Sequence, residues 1–152
     1  NLMYNKEEAK NLRLEFWSRF ENYSSVRRRQ KGKPAKWIMN RTGINQLKLK
    51  FDLNTEKATV GIDIETRNLD KRLELMDKME SLRTILEKSL GSTLTWEIDH
   101  ILPTGKSISR ICLEKKNVSI YEKDTWPEVF PFFYKNMMKF EEFFGEYKDY
   151  LK

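Results

Sequence analysis

Apolar positions recur at helical spacing in three stretches of the chain and alternate one-for-one with polar residues in four shorter runs. The first helical stretch opens at Asn5, whose spacing to Glu8 is that of a capping box, with Tyr4 and Ala9 placed as a hydrophobic staple. It runs to about Tyr23 and puts Leu12, Phe16, Phe20 and Tyr23 on one face, with Trp17 alongside. The second runs from about Leu69 to Leu90 on a stripe of Leu75, Met79, Leu82, Leu86 and Leu90, and Gly91 stands where a C-cap glycine belongs. The third, from Asp124 to Leu151, has a broad aromatic face: positions 133, 137, 140, 144, 147 and 151 step by four and three. Thr125 and Glu128 have capping-box spacing and Pro127 suits a first turn, whereas Pro131 predicts a kink or a fresh start.

Between the helices the period changes to two. Leu47, Leu49, Phe51 and Leu53 alternate with Lys48, Lys50 and Asp52; after a turn at Asn54–Glu56, Ala58, Val60, Ile62 and Ile64 alternate with Thr59, Gly61 and Asp63. Leu94, Trp96 and Ile98 alternate with Thr95, Glu97 and Asp99, and a turn through Pro103–Lys106 leads to a strand over Ile108–Glu114. Val118 and Ile120 read as a short strand extension. These elements predict one α+β domain over residues 1–152: a mostly antiparallel sheet of four to five strands with three helices, in the order α-ββ-α-ββ(β)-α, and the last helix central. Asn1-Leu2 before Met3 reads as a tag remnant.

Charge changes this picture locally. Nine Lys and Arg lie between Ser24 and Lys50 with no Asp or Glu, so taking nine from the net +6 leaves −3 for the rest. The segment 24–36 carries turn formers and no periodicity, and is expected to be a basic loop. Arg27, Arg28, Arg29, Lys31, Lys33 and Lys36 would attract phosphate backbones through counterion release. Trp37 directly after them is placed to stack on a base. No apolar run approaches 18 residues and the first eight residues hold no signal-peptide core, so no membrane contact is expected. Cys112, the single cysteine, excludes an internal disulfide and fits a reducing cytoplasm.

Candidate catalytic chemistry is sparse. Asp99 on one strand with Glu114 and Lys116 on its hairpin partner resembles the PD-(D/E)xK nuclease pattern, in which two carboxylates hold a divalent metal and the lysine helps to activate water. Asp63 and Glu65 share the polar face of their strand. The favoured reading of all these charges is a solvated outer face of a one-sided sheet. His100, the only histidine, is expected in a turn. Thr104-Gly105-Lys106-Ser107 lacks the upstream glycine of a phosphate loop, so no nucleotide site and no cofactor are expected. The wide face of the last helix is expected to be core, with Tyr134, Met138 or the Phe143/Tyr150 side as an alternative homodimer or partner surface.

Phe16-Trp17, the return from Trp37 to Gly43-Ile44, Val60-Gly61-Ile62, Trp96-Glu97, Gly105-Lys106-Ser107-Ile108-Ser109-Arg110-Ile111 and Asp124-Thr125-Trp126-Pro127 occur in this order. The ordered set resembles the bacterial and archaeal "domain of unknown function 4268" family across essentially the whole chain. The resemblance carries no established activity. It implies an accessory role near DNA, with a nuclease-like domain as partner, and no dependence on an Asp…Glu-x-Lys set. The expectation is therefore a non-catalytic, nucleic-acid-associated binding module. A metal-dependent nuclease and a protein-interaction domain are the alternatives.

Overall fold

The computed structural model describes residues 4–152, so the tag-remnant reading of Asn1 and Leu2 lies outside it. Helix α1 spans Lys6–Gln30. Its capping box is formed: the Asn5 side chain accepts from the Glu8 N–H at 2.8 Å, and Glu8 accepts from the Asn5 N–H at 3.2 Å. Strands β1 (Leu47–Leu53) and β2 (Lys57–Ile64) make the first hairpin. Helices α2 (Leu69–Ser81) and α3 (Arg83–Leu90) follow, then β3 (Thr95–Ile101), β4 (Ser107–Lys116) and α4 (Trp126–Leu151).

The sheet has four strands in the order β1-β2-β4-β3, every neighbouring pair antiparallel. Because side chains alternate across a strand, one face carries Leu49, Val60, Ile62 and Ile111, and these belong to the same core as Phe133, Met137 and Phe140 of α4. Helix α4 lies over β2 and touches α1, α2 and α3, so the aromatic rod is the centre of the helical layer. Gly61 is the point of closest approach between β2 and β4: the Ile111 carbonyl and the Cys112 backbone occupy the space a Cβ would need.

Four expectations need correction. There are four helices, because the stretch expected over 69–90 breaks at Leu82, which leaves helical geometry at φ −102° and ψ 6°. Val118 and Ile120 are buried but form no fifth strand. Asn117 takes a left-handed φ of 64° and turns the chain off the ladder, and Ile120 instead donates its N–H to the Asn54 carbonyl at 2.9 Å. The Thr125–Glu128 capping box does not form. A 3-10 turn over Lys123–Thr125 precedes α4, and the Thr125 hydroxyl serves the preceding loop, accepting from the Ser119 N–H at 3.1 Å. Of the two outcomes expected at Pro131, the fresh start does not occur: α4 is continuous over 26 residues, and the proline sits exposed within its second turn. The basic segment also departs from expectation, and it shapes the site described next.

Candidate nucleic-acid interface

The segment expected as a loop over 24–36 is helical to Gln30. The reason is a buried ladder that does not look apolar: Leu12, Phe16, Phe20, Ser24 and Arg28 step by four, and Ser24 and Arg28 are each 1% exposed. The Arg28 guanidinium grips the Glu141 carboxylate of α4 with both nitrogens, at 3.0 and 3.1 Å, and donates from Nε to the Pro34 carbonyl at 2.7 Å. Its carbon Cζ lies 4.0 Å from the centre of the Trp37 ring. The Trp37 indole N–H donates to the Ser24 hydroxyl at 2.6 Å. Three arginines in the last turn also suit the negative end of the helix dipole.

These contacts divide the expected binding residues. Arg28 is an internal clamp and is closed to an outside ligand. Arg27 folds back on Tyr23, its guanidinium 3.5 Å from the ring centre and hydrogen-bonded to the Tyr23 carbonyl at 3.0 Å. Arg29, Lys31, Lys33 and Lys36 are exposed, and so is Arg41 on the return. Among the described residues none of these five stands in an ion pair. Gly32, at φ 72°, turns the chain between Lys31 and Lys33.

Beyond Gln30 the chain is irregular as far as β1, yet it is pinned: Lys33 donates its N–H to the Arg28 carbonyl at 2.9 Å, and the Leu49 N–H reaches the Met39 carbonyl at 2.7 Å. Trp37 and Met39 face an open groove of about 320 Å³ walled by Trp17, Phe20 and Phe51, with Lys36 and Glu21 at its margin. Ile38 and Arg41 line a second groove of about 320 Å³, shared with Lys33 and Lys148. Trp37 is half-buried and held edge-on against Phe51 and Tyr134, ring centres 5.7 and 6.0 Å away.

The nuclease-like residues are not brought together. Asp99 lies in the bulge between the Glu97–Arg110 and His100–Ile108 pairs, where it pairs with Arg72 of α2 at 3.2 Å and accepts from the Ser107 hydroxyl at 3.2 Å. Glu114 points to the outer face and bonds Lys57 at 2.5 Å. The bulge faces Arg110 to Ile108 on β4, and the five-residue step from Ser109 within it to Glu114 corresponds to about 17 Å of strand. Lys116 is exposed at the end of β4, opposite Lys57. Among the described residues, no three His, Cys, Asp or Glu side chains are gathered as ligands for a metal ion.

The outer sheet face is also less wet than expected. Asp63 is 6% exposed and receives a two-pronged hydrogen bond from Arg110 at 2.7 and 2.9 Å, which raises the guanidinium pKa. His100 is in β3 and not in a turn; a bulge between Glu97 and His100 re-aims it. Its Nε2 meets Arg110 Nη1 at 2.9 Å, and a guanidinium only donates, so Nδ1 carries the proton toward Glu97 at 3.0 Å. Glu65 is held below the ordinary carboxylate pKa by its hydrogen bonds to Lys48 and Lys106. Burial pushes the Cys112 thiol up to about 12, so it is not poised as a thiolate.

The proposed partner face of α4 is largely occupied from within. Tyr134 packs on Tyr23, Met138 accepts from Arg28 through sulfur at 3.4 Å, and Phe143 is buried. Tyr150 alone of that set is exposed, and its hydroxyl meets Ser81 at 2.8 Å. Residue type alone does not distinguish the buried Arg28 from Arg27 and Arg29, because arginine reads as surface wherever it falls. The spacing of four to Ser24 and Phe20 was the available clue.

The family model described as Domain of unknown function (DUF4268) matches the chain over residues 12–148. No curated protein and no solved structure matches it.

Proposed function

The chain belongs to the DUF4268 family, and from that premise we propose that it is a binding module that holds the phosphate backbone of nucleic acid, using Arg29, Lys31, Lys33 and Lys36 with Arg41 beside them. The observation that carries this reading is the set of five exposed cations, unpaired among the described residues, in the last turn of α1 and on its connection to β1. Several cations of the sheet and its turns behave differently: Lys48, Lys57, Lys106 and Arg110 are each engaged by a carboxylate. Charge kept free of partners on a pinned segment is available to an external anion without first breaking an internal pair. The carboxylates that a metal-dependent nuclease would use are tied to Arg72 and Lys57, which favours binding over cleavage.

Fluorescence anisotropy with a labelled DNA oligomer tests the reading. Four phosphate contacts on a single strand give a log–log salt slope of roughly −3, or about a fiftyfold loss of affinity between 50 and 200 mM salt. Replacing Arg29, Lys31, Lys33 and Lys36 together by Gln should abolish binding at the higher salt. Absence of binding at low salt, or equal binding by the fourfold variant, removes the proposal.

A further inference from the structure

We infer that the groove between α1 and the Trp37–Met39 return is a seat for an unpaired nucleobase, so that the ligand is a single strand and not a duplex; this rests on the phosphate-binding reading of the adjacent cations. Trp17, Phe20, Trp37 and Phe51 wall the groove, and Trp17, Trp37 and Phe51 are half-buried, each offering part of a ring to solvent. A volume of about 320 Å³ is at the lower end of small-ligand sites, which span ~300–1,000 Å³, and it is open enough for a planar base entering from one side.

The rings are set in place before any ligand arrives. Trp17 stacks on Phe133 at 4° between planes, and Trp37 is fixed by its bond to Ser24 and by the guanidinium of Arg28. Stacking platforms that need no rearrangement lose little entropy on binding.

Charge decides which part of a nucleotide goes in. Glu21 sits at the groove margin, where a phosphate would be repelled but an N–H on the pairing edge of a base, thymine N3–H included, finds an acceptor. Lys36 stands at the same margin, and residues 37–41 separate this groove from the one lined by Lys33, Arg41 and Lys148. A strand can therefore turn a base inward at Trp37 while its backbone follows the cations outside. Duplex DNA keeps its bases stacked and offers none to such a groove.

The test compares a thymine oligomer, an abasic oligomer of the same length and charge, and a duplex. The thymine oligomer should bind about tenfold more tightly than the abasic one, the usual gain from one base on an aromatic platform, and should quench tryptophan emission where the abasic oligomer does not. Trp37→Leu and Phe51→Leu should each remove that preference while leaving the salt slope unchanged. Emission quenching in the unaltered protein keeps the test valid if either variant folds poorly. Equal affinity for the thymine and abasic oligomers, without quenching, overturns the groove assignment and leaves the phosphate reading standing. Failure of all three to bind at low salt overturns both. Quenching by an aromatic peptide, with none by the thymine oligomer, gives the groove to a protein partner and overturns the inference.

Discussion

At Arg28 a side chain that belongs on a surface by composition is sealed between two helices. Its two bonds to Glu141 and one to Pro34 compensate the guanidinium for lost water, and removing one member of such a pair strands the other charge. Arg28→Ala is expected to lose about 3–5 kcal/mol of stability by denaturant titration. Arg28→Lys should recover only part of that, since an ammonium cannot repeat the two-pronged geometry. Glu65 makes a different prediction. Its carboxyl is held below the ordinary 4.5 by Lys48 and then Lys106, so its contribution is complete above that value and disappears as pH falls through the lowered one. Glu65→Gln should therefore be less stable than the parent at pH 7, by under about 1 kcal/mol for a partly exposed cluster. The difference in thermal midpoint should narrow as the pH is taken below 4.5.

At the scale of elements, hydrophobic spacing made most of the fold legible and failed where burial did not follow hydrophobicity. The α4 stripe is buried at 133, 137, 140, 144 and 151 as its spacing implied, and both hairpins form over nearly the residues that alternation marked. Helix α1 was read too short because Ser24 and Arg28 continue its inward ladder in polar chemistry. The break at Leu82 carries no Pro or Gly to announce it; both halves still put their stripe on α4. Ile98 was expected inward, yet it is 53% exposed, since the bulge beyond Glu97 resets the alternation of an edge strand. Among the candidate site residues, the basic cluster was legible as a cluster, but which members face outward depended on contacts with α4, over a hundred residues away in the chain. Hydrogen exchange checks the helical extension: amides of Arg27–Gln30 should be protected with the rest of α1, whereas a loop would exchange them at nearly free rates.

At the scale of the molecule, helices cover one side of the sheet, ion pairs such as Arg110–Asp63 and Lys57–Glu114 lie on the other, and five exposed cations crowd the end of α1 and its connection to β1. On the proposed reading, the α1–β1 connection is the part of the surface where added salt is expected to weaken binding. The turn at Gly32 has a consequence of its own. Lys31 and Lys33 flank it in the open, while Arg28 is shut inside its clamp. Trypsin should sever the backbone after Lys31 long before it reaches Arg28, although four basic residues crowd within six positions; the bond after Lys33 is closed to it by Pro34. The severed pieces have no reason to part: the shorter one keeps its grip on Glu141 and its ring stack on Phe133. A denaturing gel should show two fragments where gel filtration still shows one intact particle.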